Sequence, residues 1–166
     1  MKPIFTEIVD WNGLNIHREF YPTDNFDQIP KNKAFQSQAV CFVNSEEIAI
    51  FEDTDGHRGM PGGHIETGEN YEETLEREIF EESACVLIDC GPTCYIKEWD
   101  EKTPNIVSYG LRYWATVRAL DQDVKDPCCP GRERRIVKLN KADSYLGWGR
   151  SGEILLNLAK SKVKFK

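Results

Sequence analysis

The sequence predicts an α/β fold of the mixed α+β kind, a β-sheet packed by helices and extended by a β-hairpin at its N-terminus. Three observations predict it. A chain of 166 residues with 40% hydrophobic side chains suits one domain, 1–166, with a real buried core. Segments of alternating apolar and aromatic residues are divided by turn signals, as short strands are. One strong helical period, residues 70–83, is set between those strands, and a second helix closes the chain.

The elements follow in order. Ile4 to Trp11 and Leu14 to Phe20 flank Asn12-Gly13, the dipeptide most favoured in two-residue hairpin turns because both positions need positive φ. Residues 22–38, with Pro22, Asp24, Asn25, Pro30 and Asn32, form an irregular connection, so 1–38 is a hairpin and linker. A second strand pair runs from Gln38 to Val43 and from Ile48 to Glu52. Residues 53–69 are a glycine-rich loop that lets backbone approach a ligand closely, or is simply a long connection. A helix follows from Asn70 to Ser83, with Asn70 as its cap and Glu73 answering as in a capping box. Val86 to Asp89, Cys94 to Trp99 and Ile106 to Leu120 are strands. A turn-rich stretch, 121–131, leads to a short strand from Ile136 to Leu139 and an amphipathic helix from Gly152 to Lys160.

Charge gives the first functional clue. Between Glu66 and Glu82 there are eight carboxylates and one cation, Arg77, while the remaining 20 cations and 20 anions cancel. The protein is thus neutral apart from one intensely acidic segment, and a broad basic footprint for long nucleic acid is missing. No apolar run approaches the roughly 18 residues of a membrane span. The start, Met1-Lys2-Pro3-Ile4-Phe5-Thr6-Glu7, lacks the apolar stretch of a secretory signal, so a cytoplasmic protein is expected. The six cysteines (Cys41, Cys85, Cys90, Cys94, Cys128, Cys129) contain no CxxC pair and are expected to be reduced and mostly buried.

The acidic helix has a geometry that a solvated helix does not need. Advancing about 100° per residue places Tyr71, Leu75 and Ile79 on one apolar stripe. Glu72, Glu73 and Glu76 fall away from it, but Glu78 and Glu82 lie on or beside it and Glu81 adjoins them. Unpaired carboxylates there would cost several kcal/mol each. Their mutual repulsion becomes useful if a cation is held between them, and hard divalent ions such as Mg²⁺ prefer carboxylate oxygen. One wall of a metal site is one reading, and a charged, solvated helix is the other.

Gly63-His64-Ile65-Glu66-Thr67-Gly68-Glu69, seven further residues, and then Arg77-Glu78-Ile79-Phe80-Glu81-Glu82 resemble the signature of the Nudix hydrolases (MutT-like). The box spans 63–85 and departs from the family pattern at Ala84, where the family has glycine. The resemblance implies the Nudix-type α/β/α sandwich. It implies hydrolysis of a phosphoanhydride in a nucleoside diphosphate linked to another group, whether a nucleoside triphosphate, a nucleotide sugar or ADP-ribose. It also implies Mg²⁺ as cofactor, with Mn²⁺ as substitute, held by Glu78, Glu81, Glu82 and the Gly62 carbonyl, and a small-molecule nucleotide as partner. Gly63, Glu69 and Arg77 become structural, orienting residues. A further carboxylate outside the box commonly contributes to catalysis in this family; Glu133 is the candidate, with Asp123 and Glu101 as rivals. The alternative is a non-catalytic Nudix-like module that binds a nucleotide and regulates a partner.

Arg132, Arg134 and Arg135 flank the Glu133 loop and are candidates for substrate phosphates, or are merely solvated. Trp99, Tyr109, Tyr113 and Trp114 either stack a base or pack the core. There is no Gly-x4-Gly-Lys-Ser/Thr loop, and Asp53-Thr54-Asp55-Gly56 fails as a calcium loop because Phe51 stands at its first position. The N-terminal hairpin is a candidate for pairing across a homodimer.

Overall fold

The computed structural model describes residues 2–121 and 124–165. The hairpin forms as its turn requires: β1 (Phe5–Trp11) and β2 (Leu14–Pro22) pair antiparallel, with Asn12 at φ 53° and Gly13 at φ 81°. The Asp10 carboxylate accepts the Gly13 N–H at 3.1 Å and secures the turn. β2 continues into the main sheet through β7 (Cys85–Asp100), which pairs with β8 (Ser108–Ala119). β8 runs parallel to β3 (Ala34–Phe42), the one parallel pairing among the described strands. β3 is antiparallel to β4 (Glu47–Glu52), and β5 (Arg58–Gly59) lies at the far edge. β6 (Gly62–His64) pairs with the first half of β3, and β9 (Glu133–Lys138) pairs with β4.

Helices cover the two faces. Along β3 the side chains alternate: Ala39 and Cys41 pack with Leu75 and Ile79 of α1 (Tyr71–Ser83). Val40 and Phe42, with Ile48 and Ile50 of β4, pack on the other side with Leu155, Leu156 and Ala159 of α3 (Gly149–Lys162). This period of two is what a sheet buried on both faces demands. The result is the expected three-layer sandwich. Tyr113 is buried in the α1 layer, while Trp114 packs against the α3 layer, so both serve the core.

Several boundaries differ from the sequence reading. The two strands expected at 86–89 and 94–99 are one 16-residue strand, because Gly91-Pro92 is absorbed by register shifts between Leu87 and Asp89 and between Pro92 and Cys94. Gly91 is needed there: an added Cβ would lie 2.7 Å from the Trp114 indole nitrogen. The loop 53–69 contains β5 and β6, and β3 begins inside the expected connection. A short helix, α2 (Ala142–Leu146), went unread because five residues carry too little period. All six cysteines are free; Cys41, Cys85 and Cys94 are buried and Cys128 is exposed. Among the described residues, no helix is long and apolar enough to cross a membrane.

α1 begins as its sequence dictates. Asn70 accepts the N–H groups of Glu72 and Glu73, and the Glu73 carboxylate accepts the Asn70 N–H at 2.7 Å. It ends on Ala84 in the left-handed conformation (φ 47°, ψ 43°), its N–H donated to the Phe80 carbonyl. The departure from glycine therefore leaves the helix stop in place and makes a side chain bear it, at about 1 kcal/mol. Ala84→Gly should raise the melting temperature by about 2–4 °C, read by calorimetry.

Candidate active site

The site is built where β6 passes beside α1. Two consecutive glycines let it do so. A Cβ on Gly62, whose φ is 152°, would meet the Ser37 carbonyl oxygen and the Gln38 Cα at 2.4 Å. A Cβ on Gly63 would lie 2.2 Å from Glu78 Oε1. The strand thus lies directly against the carboxylates of the helix. The Gly62 N–H donates to Glu82 Oε2 at 2.8 Å, so the backbone already addresses that group.

Arg77 organises the rest. Its guanidinium holds Glu69 in a fork, Nε to Oε1 at 2.7 Å and Nη2 to Oε2 at 3.0 Å. The same group donates to Glu78 at 2.7 Å, to Glu81 at 3.4 Å and to the His64 carbonyl at 3.1 Å. Glu69 also accepts from the Thr74 hydroxyl at 2.7 Å and the Glu66 N–H at 3.2 Å. Loop and helix are locked together through one cation, the geometry of an orienting pair. The hydrogen bonds from Arg77 hold the Glu69 carboxyl down at about 2.

Glu82 is the most deeply buried acid of the set, 4% exposed. Burial pushes its pKa up to about 8, with the charges of Glu78 and Asp126 acting in the same direction. Glu78 is raised too, chiefly by burial. Arg132 answers Glu82 from the other side: its Nη1 bonds Glu82 Oε1 and, at 2.9 Å, Asp126 Oδ2, while its guanidinium lies over the Phe51 ring at 4.5 Å. Among the described residues no three acid, imidazole or thiol groups are gathered around one point closely enough to hold an ion with the side chains as they stand. Two guanidiniums balance the acids instead. The donor set, several partly buried carboxylates beside a half-buried glycine backbone, is nevertheless of the hard-oxygen kind that divalent cations take.

The structure brings Gly62, Gly63, Glu69, Arg77, Glu78, Glu81, Glu82 and Arg132 together. Glu133 stands elsewhere: it opens β9, is 67% exposed and pairs with Arg135 at 3.0 Å. Glu101 accepts from Asn15 at the hairpin end, and Asp123 lies outside the described residues. Arg134 donates to the carbonyls of Ser83, Ala84 and Leu120, clamping the end of α1, and Arg135 is held by Glu52 at 2.7 Å. The residue that sequence reasoning missed is Asp126, 3% exposed, which accepts the N–H groups of Cys128 and Cys129 and shares Arg132 with Glu82. Its signal was an aspartate opening a Pro-Cys-Cys-Pro turn, the side-chain-to-backbone pattern of an Asx turn.

A sequence model of the NUDIX domain matches residues 34–155, and the chain belongs to that family. It is a hydrolase acting on pyrophosphate bonds, in a family whose substrates are nucleoside diphosphate derivatives. Solved structures share the fold at low identity. The Bacillus subtilis pyrophosphohydrolase BsRppH, as a point mutant, matches 98% of this chain and 100% of its own with a TM-score of 0.69 at 15% identity. A NUDIX hydrolase from Nitrosomonas europaea matches 81% and 97% with a TM-score of 0.59 at 15% identity. A MutT from a comparison of Aliivibrio salmonicida and Vibrio cholerae matches 79% and 100% with a TM-score of 0.54 at 19% identity. No curated protein sequence matches the chain.

Because the folded pKa of Glu69 is depressed, this group contributes stability that is present above its ordinary value of 4.5 and is lost as the pH falls toward about 2. Urea unfolding across that window should show a smaller loss of stability for Glu69→Gln than for the native protein. An equal loss in both would show that the fork does not couple to folding.

Proposed function

We propose that the chain hydrolyses the phosphoanhydride of a nucleoside diphosphate linked to a further group, using Mg²⁺ or, in its place, Mn²⁺. The observation that carries this reading is Glu82: a carboxylate almost fully buried, addressed by the Gly62 N–H, set among other acids and sharing its Arg132 counter-charge with Asp126, is an oxygen-rich place that a divalent cation suits. Glu78, Glu81 and Glu82, with the Gly62 carbonyl, would hold the ion. A divalent cation there neutralises the diphosphate and lowers the pKa of the attacking water.

The chain's own groups supply the rest. Arg77 and Glu69 fix the helix against the loop, so the carboxylates keep one orientation. Arg132, the one guanidinium of its cluster that reaches Glu82, is the group placed to bind a substrate phosphate once the acids have another counter-charge. Asp126 is near enough to share Arg132 with Glu82 and is the candidate to accept the water proton in place of the exposed Glu133. The six free thiols support a reducing, cytoplasmic setting.

The test is phosphate and pyrophosphate release from nucleoside triphosphates, nucleotide sugars, ADP-ribose and dinucleoside polyphosphates with Mg²⁺, Mn²⁺ or EDTA. Turnover on one class that EDTA abolishes is expected; silence across the panel despite bound metal would favour a binding module. Glu82→Gln should lower turnover by more than about 100-fold, beyond the loss typical of outer partners, while circular dichroism stays unchanged. Burial raises the pKa of Glu82 to about 8, which gives a second readout: Mg²⁺ binding near neutral pH is expected to release a proton. Calorimetry in buffers of different ionisation enthalpy should show that release at pH 7, little at pH 9, and less in Glu82→Gln.

A further inference from the structure

The free edge of the N-terminal hairpin carries an inference that neither the family nor the acid cluster supplies. β1 ends the strand order, and residues 5–22 lie outside the stretch matched by the family. The two-residue turn makes Trp11 and Leu14 the closing hydrogen-bonded pair. By alternation Val9, Glu7 and Phe5 direct their N–H and C=O groups to β2, and Asp10, Ile8 and Thr6 direct theirs outward. Natural edges are guarded by lysine, proline, a bulge or shortness. β1, Phe-Thr-Glu-Ile-Val-Asp-Trp, has none of these over seven residues in unbroken register; its two charges are carboxylates, Glu7 beside Arg18 of β2 and Asp10 at the turn. The opposite edge, β5, is two residues long and carries Arg58.

We propose that two copies of this chain associate through β1, antiparallel about a two-fold axis at Ile8, so that the two sheets become one. A strand meeting its own copy can pair only about a residue on that axis. Centring on Glu7 sets carboxylate against carboxylate, and centring on Asp10 does the same. Centring on Val9 sets Ile8 against Asp10 and leaves Phe5 and Thr6 without strand partners. Centring on Ile8 pairs all seven residues: Ile8 with Ile8, Phe5 with Trp11, Thr6 with Asp10 and Glu7 with Val9. Ile8 then meets Ile8 and Phe5 meets Trp11, and no like charges face each other, the arrangement that stabilises neighbouring strands. Ile8 and Trp11, 59% and 61% exposed in the single chain, become covered. The acid cluster lies beside β6, on β3, with β2, β7 and β8 between it and this edge, so the association leaves it open.

Sedimentation of the full chain across micromolar concentrations tests this. The native protein should pass from the 19.1 kDa species to one of twice the mass. Ile8→Lys, which sets two ammonium groups opposite each other at an exposed position, should remain monomeric with an unchanged circular dichroism spectrum. Thr6→Lys places a cation opposite Asp10 twice over and should tighten the dimer by about threefold or more. A native protein that stays monomeric overturns the proposal. So does a dimer that Ile8→Lys leaves intact, and a dimer that Thr6→Lys fails to tighten overturns the Ile8 register.

Discussion

One guanidinium holds the candidate site together. Arg77 reaches Glu69, Glu78, Glu81 and the His64 carbonyl at once, joining the loop after β6 to the helix that follows it. Without that cation, carboxylates one turn apart on α1 would repel each other, and the loop after β6 would lose its tie to the helix. The planar, forked donor set of arginine suits this; a lysine would offer a point charge and could not hold Glu69 in two places.

The second constraint is burial. Glu82 and Glu78 are held where water is scarce, and their pKa values rise accordingly. Such carboxylates are expensive to keep charged, and the fold offsets part of the cost with the Gly62 N–H, Arg77 and Arg132. This imbalance between buried acid and available counter-charge is also what makes the place chemically useful. A surface cluster of equal charge, fully hydrated, would attract a cation only weakly.

Specific residues show how far the sequence could be read. The capping box at Asn70 and Glu73 and the turn at Asn12-Gly13 were legible because each is set by neighbours within four residues along the chain. The box glycines, Arg77 and the glutamates Glu78, Glu81 and Glu82 were legible through a fixed pattern whose spacing is itself the geometry. Asp126 was not, because what marks it is sharing Arg132 with Glu82, a residue of a distant segment. Glu133, preferred for its position after a turn, instead faces solvent at the start of β9. Arg134 offered the same charge as Arg132 two residues away, yet Arg134 sits within β9 and reaches the end of α1, whereas Arg132 stands just before the strand and reaches Glu82.

By itself, then, the sequence determined the local and periodic features: the hairpin, the amphipathic layers, the acidic helix and the family signature. These follow from side-chain periods and backbone preferences that act over a few residues. Tertiary structure alone decided that Gly91-Pro92 bends one strand instead of dividing two, that Ala84 bears a glycine conformation, and which arginine and which outlying acid meet the box. Those outcomes rest on contacts between segments far apart in the chain, where packing and desolvation outweigh local preference, and no local period records them.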